Sequence, residues 1–253
     1  MKRSLIFLIL LLIGFPQAAV SETIKLCVDE RNWYPFTFAE NNTGKGMHVE
    51  IVKKALKDLG HDLIIEPQHR NRNILACRQG DFDGIISIAY DDSLESVLDF
   101  PPAAEKETES PWRIMQVDHM VITYIYDKYA FKGDIQTLPN PVRITFAESI
   151  TNMLKEAGLE VEETSRDRQN FEMLVRDENG CVITTSIVAE NMNKEPKFKN
   201  KFKIHPTPLI SQSYYLAFSE KSSLPSTEKL KIWEKIVELR GDYVYMLKLF
   251  AQY

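Results

Sequence analysis

The amino-acid sequence predicts an α/β protein of two lobes, each a mostly parallel sheet flanked by helices. Three observations carry that expectation. Segments of period two alternate with segments of helical period in the order strand, helix, strand, helix, strand between residues 24 and 89. The same order recurs between residues 142 and 191 without repeating the sequence, so the repeat is one of architecture. Residues 82–89 (FDGIISIA) are nearly all apolar, as a strand covered on both faces is. A chain of 253 residues, 44% apolar and 26% charged, is long enough for two small lobes.

Residues 1–21 stand apart from the fold. Lys2 and Arg3 form a positive n-region, residues 5–15 an apolar core of secretory length, and residues 16–21 a break with small side chains, so cleavage is expected near Ser21. The apolar run is too short for an ordinary membrane-spanning helix. An exported, periplasmic chain is expected. The net charge is −5, and removing the leader takes away two cations and no acid. No basic patch stands out, which argues against a nucleic-acid partner. Export permits disulfides, and three cysteines leave at least one over. Cys27 on the first strand and Cys77 on a helix packed against the same sheet are the expected pair. Three small buried hydrophobes are the alternative.

In chain order, Ile24, Leu26 and Val28 alternate with Lys25 and Cys27 in a first strand. Trp33-Tyr34-Pro35-Phe36 follows it, and Gly44 and Gly46 supply a turn. Val49, Ile51, Val52, Ala55, Leu56 and Leu59 then recur at helical spacing up to Gly60. Residues 62–66 read as a strand ended by Pro67, residues 71–78 as a helix closed by Gly80, and residues 82–89 as a third strand. Residues 101–111 are a charged loop, and residues 114–126 contain a strand. Strands are expected at 142–146, from Val161, and at 181–184. Helices are expected at 150–157 with Ser149 as cap, at 170–176, and from 187 to 191. Residues 202–206 lead back, and residues 213–218 form a strand returning to the first lobe. A helix over 227–239 turns Leu230, Trp233, Ile236, Val237 and Leu239 inward, Gly241 breaks it, and residues 243–250 form a last helix.

Several stretches resemble the bacterial extracellular solute-binding proteins of family 3, receptors for amino acids and similar polar solutes. Trp33-Tyr34-Pro35-Phe36 is similar to the family's Tyr-x-Pro-Phe loop, and Gly46-Met47-His48-Val49-Glu50 partly matches its Gly-Phe-Asp-x-Asp turn. Gly80-Asp81-Phe82-Asp83 fits Gly-x-x-Asp, and Asp99-Phe100-Pro101 matches Asp-Phe-Ser, where the chain begins to cross between lobes. The resemblance implies one lobe from residues 22–103 and 213–253 and a second from 104–212. The crossings fall near 100–120 and 204–213, and the lobes close about a hinge. It also implies an Arg after the third strand for a ligand carboxylate and an Asp in the second lobe for an ammonium. Those positions fall at or beside Glu95 and at Thr185 here, no Arg occurs between 79 and 111, and the family's Gly-Ser/Thr-Thr loop becomes Ala147-Glu148-Ser149. The chain reads as an atypical member lacking both charged determinants.

Ligands of open α/β sheets sit at the carboxyl ends of strands. That rule and the positions the family resemblance implies together give the candidate ligand-binding residues Trp33, Tyr34, Phe36, Arg70, Arg72, Tyr90, Asp91, Ser149 and Thr185. The aromatics would stack on or cover the ligand, and the polar groups would orient it. Asp91, Asp92, Glu95 and Glu148 favour a cationic or neutral solute, whereas Arg70 and Arg72 favour an anion. Packing and surface charge account for the same residues without a ligand. Gly-x-Ser-x-Gly, His-Glu-x-x-His and P-loop patterns are absent, and the five histidines are scattered. No catalytic residue, cofactor or metal is expected. The expected function is capture of a small polar solute by lobe closure, as a monomer, for an inner-membrane ABC-type importer or a membrane sensor. A ligand-free interaction or signalling protein on the same fold is the alternative, and an enzyme using Glu95 or Glu148 a further one.

Overall fold

The first strand, β1 (Ile24–Asp29), lies between two parallel neighbours, β4 (Leu63–Gln68) and β5 (Gly84–Ala89). Its period of two serves two buried faces. Leu26 and Val28 join a core cluster with α1 (Met47–Asp58), and Cys27 points the other way to meet Cys77 of α2 (Arg70–Gln79), Ile85 and Ile88. Each fully buried Leu, Ile or Val contributes about 1.5–3 kcal/mol. The computed structural model describes residues 23–106, 109–145 and 148–253, and the side chains of Glu148 and Ser149 lie outside that description. The expected leader, residues 1–21, also falls outside it.

Between β1 and α1 the chain forms a small hairpin, β2 (Phe38–Glu40) and β3 (Thr43–Lys45). Asn41 and Asn42 both take positive φ, 49° and 57°, the conformation of a tight hairpin turn. Gly46 then enters α1 with φ 113°, and a Cβ there would lie 2.2 Å from the Phe36 carbonyl oxygen. Only glycine fits that approach. Pro67 does not end β4 as expected. It continues the strand opposite Val28, because β4 is the sheet edge, where a missing N–H is tolerated.

In the other half, β8 (Val142–Thr145) lies parallel to both β9 (Val161–Thr164) and β10 (Cys181–Thr185). The helices α3 (Glu148–Glu156), α4 (Asp167–Asp177) and α5 (Ser186–Lys194) accompany them. Two further core clusters, one around Val121, Ile144 and Leu154 and one around Ile122, Phe171 and Phe198, belong to this half. Helix α4 starts at Asp167, three residues before the expected 170.

Two long antiparallel strands tie the halves together, β7 (Met115–Tyr124) and β11 (Phe202–Ser219). The sheet runs β4-β1-β5-β11-β7-β10-β8-β9, with β6 (Leu98–Asp99) paired to β11. The sequence suggested two separate pieces where β11 is a single strand of 18 residues. Pro206 and Pro208 interrupt the pattern, and the strand absorbs them through register shifts between Ile204 and Pro208 and between Pro208 and Ile210.

Helices α6 (Ser226–Gly241) and α7 (Tyr243–Phe250) close the chain over the first half. The inward face of α6 is Lys229, Ile232, Trp233, Ile236 and Leu239, whereas Leu230 is 37% exposed. The expected face was placed slightly off, because buried Lys229, which reaches Asp99 at 2.9 Å, did not read as apolar. The three cysteines are buried free thiols. The expected Cys27–Cys77 bridge is not formed; the two side chains share one core cluster, and Cys27 Sγ donates to the Gly84 carbonyl at 3.4 Å.

Candidate functional site

The loop after β1 folds on itself. Trp33 N–H donates to the Thr37 carbonyl at 2.8 Å, and Thr37 N–H returns the bond at 3.1 Å. That closure presents the Trp33 indole at the junction of the halves, where four other rings meet it. Phe36 lies 4.7 Å away between centroids, Tyr214 of β11 4.8 Å, and His48 of α1 5.8 Å edge-on. His119 of β7 is parallel to the indole within 2° at 6.4 Å. These rings come from a loop, a helix and both crossing strands.

His48 is fixed by a 2.7 Å hydrogen bond between its Nδ1 and Ser87 Oγ. Ser87 has φ 68°, and the β5–β11 register shifts opposite it. A non-glycine residue in that region costs about 1–3 kcal/mol and marks sites that need a side chain aimed in a particular direction.

The cluster is neutral and incompletely satisfied. Burial pushes His48 down to about 3 and His119 down to about 4, and it pushes the Tyr214 phenol up to about 12. At neutral pH each imidazole therefore offers one N–H and one acceptor nitrogen. His48 Nε2, His119 Nε2 and Thr185 Oγ1 are buried without a hydrogen-bond partner among the described residues. Thr185 stands opposite His119 in the β10–β7 register. Buried polar atoms without partners are uncommon, and their convergence beside aromatic rings is what a polar solute would use.

A cavity of about 30 Å³ adjoins the cluster, lined by Asp29, Arg70, Asn73, Ser87 and residues 85–88 of β5. Across the junction, Asp167 opens α4 and accepts from Thr184 Oγ1 at 2.8 Å and Thr145 Oγ1 at 3.0 Å. Burial raises its pKa above the ordinary carboxylate value, against the pull of those two hydroxyls.

Of the residues singled out in the sequence, Trp33, Phe36 and Thr185 lie in the cluster and Arg70 lines the cavity. Tyr34 does not join them. It is 41% exposed, and its hydroxyl donates to the Tyr253 carbonyl at 2.5 Å, so it anchors the loop to the chain terminus. Arg72 is exposed on the outer side of α2. Tyr90 donates to Glu95 at 2.5 Å and packs edge-on against Phe100. Asp91 caps a short turn by accepting from Ser93 N–H at 2.9 Å, and the Ser93 contacts lower its pKa. Ser149 lies outside the described side chains. His48, Ser87, His119 and Tyr214 went unrecognised. Their successive separations in chain order are 39, 32 and 95 residues, and only the packed fold brings them to Trp33.

No protein-family model matches the chain, and no curated protein matches it in sequence. Solved structures do match, over nearly its whole length. A histidine kinase sensor domain with similarity to periplasmic binding proteins superposes with TM-score 0.65 at 17% identity, covering 91% of this chain and 95% of that one. The fold is that of the periplasmic binding proteins. An ancestral arginine-binding protein bound to arginine gives TM-score 0.62 at 18% identity over 91% and 97% of the two chains. The unliganded open L-cystine solute receptor of Neisseria gonorrhoeae gives 0.65 at 13% identity over 92% and 93%. At such identities the likeness establishes the periplasmic-binding-protein fold alone. In that fold the ring cluster occupies the junction between the two lobes.

Proposed function

We propose that the protein captures a small polar solute at the junction of its lobes and is not an enzyme. The observation that carries this reading is the convergence of His48 Nε2, His119 Nε2 and Thr185 Oγ1, buried and without partners among the described residues, around the Trp33 indole. Residues 22–103 with 213–253 form one lobe in this reading, residues 104–212 the other, and the crossings near 100–120 and 204–213 the hinge. Bound solute favours the closed arrangement by the contacts it makes only there. The work is done in the periplasm after removal of the leader, for an importer or a membrane sensor. The similarity to a sensor domain and to solute receptors supports both destinations.

Thermal unfolding against amino acids, polyamines, small carboxylates, sugars and peptides tests the proposal. A ligand at a hundredfold over its dissociation constant adds about 2.7 kcal/mol. A midpoint rise with one class, abolished in Trp33→Ala, is expected. No rise with any class, and no small molecule carried through purification by native mass spectrometry, would refute it.

A further inference from the structure

Arg70 is the first residue of α2, half-buried, and its guanidinium makes no ion pair or hydrogen bond among the described residues. It lines the small cavity beside the ring cluster together with Asn73 and Ser87. Asn73 is 1% exposed. Its Nδ2 donates to the Gln68 carbonyl at 3.1 Å, which sets the amide's orientation, and its Oδ1 is left buried without a partner among the described residues. The helix end adds to the positive potential. The first turn of α2 carries no acid, and its cap residue His69 gives no side-chain hydrogen bond, so the Arg70 and Asn71 amides face outward at the positive end of a ten-residue helix. Among the described residues the carboxylate lining the cavity is Asp29, already held by Arg31 at 2.5 Å, and Asp91 lies within the electrostatic reach of Arg70 without an ion pair to it.

The cavity and the ring cluster are one site. Ser87 lines the first and holds His48 of the second. Tyr214, in contact with Trp33, lies within the electrostatic reach of Arg70. A space of about 30 Å³ takes one small polar group, not a whole ligand.

Two unmet demands define that group. A free guanidinium fork matches the two oxygens of a carboxylate. Asn73 Oδ1 is an acceptor and needs a donor, which a carboxylate does not have. The head group must therefore carry an anion and, on the neighbouring atom, a hydrogen-bond donor. An ammonium donor is disfavoured, because it would lie beside the Arg70 guanidinium and the lining acid Asp29 is already paired with Arg31, so a desolvated cation would find no unpaired counter-charge in the lining. A hydroxyl meets the demand without charge.

Resting on the capture reading, we infer that the cavity at the start of α2 is a subsite for a 2-hydroxy carboxylate head group. Arg70 grips the carboxylate and Asn73 Oδ1 accepts from the hydroxyl, while the remainder of the ligand lies against Trp33 and His119. The anion anchor is thus supplied by a helix N-terminus in the first lobe.

The test is calorimetric titration and thermal unfolding with matched triplets. These are glycolate, lactate, malate and mandelate, their primary amides, and the corresponding 2-amino acids. Proteins are the wild type, Arg70→Gln, Arg70→Lys and Trp33→Ala. At least one hydroxy acid is expected to bind, its amide and amino acid about tenfold or more weaker, and Arg70→Gln to lose about as much, with Arg70→Lys intermediate because charge remains without the fork. Arg70 is a half-exposed first-turn residue, so these variants fold, and circular dichroism confirms it. Equal binding of the amide or amino acid, or unchanged binding by Arg70→Gln, overturns the subsite and leaves capture standing. Trp33-dependent binding of another class, with no hydroxy acid bound, does the same. No Trp33-dependent binding of any class overturns capture and the subsite together.

Discussion

Lowering the pH from 7 to 5 should cost this protein about 4 kcal/mol of stability through two side chains, by the linkage between protonation and folding. His48 and His119 are buried, and burial holds them at about 3 and about 4. In the unfolded chain an imidazole titrates near 6.5. Between about pH 6.5 and those folded values the unfolded chain binds protons that the folded chain refuses. The stabilisation is therefore complete above about pH 6.5 and is lost as the pH falls, at about 1.4 kcal/mol per unit for each group. One and a half units gives roughly 2 kcal/mol apiece. His205 acts in the same direction. Burial lowers its pKa, and its Nδ1 accepts the Phe131 N–H at 3.2 Å, a bond that imidazolium cannot accept. The depressed carboxyls Asp91, Glu172, Asp177 and Glu228 lose their contribution only at lower pH, as they are protonated. Asp167, raised by burial, opposes the trend slightly at the acid end. Urea unfolding followed by far-UV circular dichroism at pH 7 and pH 5 checks this for wild type, His48→Gln, His119→Gln and the double variant. The quantity read is the difference between the two pH values, which cancels any constant cost of substitution. The double variant should lose about 4 kcal/mol less than wild type across the interval. If it loses as much as wild type, the reasoning that these imidazoles are kept neutral by burial is wrong.

Gly46→Ala places a Cβ against the Phe36 carbonyl at a φ of 113°, and should cost about 2 kcal/mol or more with loss of the Trp33 loop's fixed geometry. Chemical denaturation and near-UV circular dichroism read both effects, and an unchanged midpoint would refute the assignment. Arg143 is 2% exposed and holds Glu162 at 2.8 Å, Asp177 at 2.9 Å and the Asn179 carbonyl at 2.8 Å. Arg143→Met should destabilise by about 3 kcal/mol, because those acceptors are left without their donor, and a urea-unfolding change within about 0.5 kcal/mol would contradict it. Oxidation by a disulfide reagent should join Cys27 to Cys77, lowering the mass by two hydrogens and leaving one titratable thiol in denaturant. Chain entropy sets a ceiling of about 4 kcal/mol on the resulting stabilisation. Three thiols after oxidation would show that the contact cannot reach bonding geometry.

The alternation of strands and helices was legible because it follows from local periodicity. Leu26 and Val28 against Cys27, or Ile51, Ala55 and Leu56 along α1, place themselves by burial alone. The crossing strands were harder to read. Pro206 and Pro208 break a pattern that β11 in fact continues through bulges, and no local signal distinguishes such a proline from a stop. The site was legible only where its residues sit in the loop after β1. Trp33 and Phe36 were found from their place at a strand's carboxyl end. His48 looked like one more helix residue and His119 like one more strand residue, since neither has a metal-like or catalytic spacing around it. Their significance lies in burial without a partner, a property of the packed chain. One signal was available: Ser87 is a polar residue inside the otherwise apolar run 84–89, and it marks where a buried element departs from pure packing.

The strands that join the two halves are also the strands that complete the ring cluster, so the proposed solute capture would be linked to lobe geometry. His119 pairs with Ile210 beside a register shift in the β7–β11 ladder, and Tyr214 lies farther along, where β11 passes to β5. Trp33 belongs to the first lobe and touches both rings. If the lobes close about this ladder, as proposed, bending it at its shifted pairs would change the angle between the lobes and move His119 against the indole at the same time. A solute held between Trp33, His119 and Thr185 then has different contacts in the two arrangements, which is the condition for a ligand to shift such an equilibrium. A solute bound only in the Arg70 cavity would touch one lobe and shift nothing, however tightly it bound. Capture by closure therefore needs a ligand that reaches from the α2 terminus to the crossing strands. Among 2-hydroxy acids this favours those with a substituent large enough to meet the indole, mandelate over glycolate.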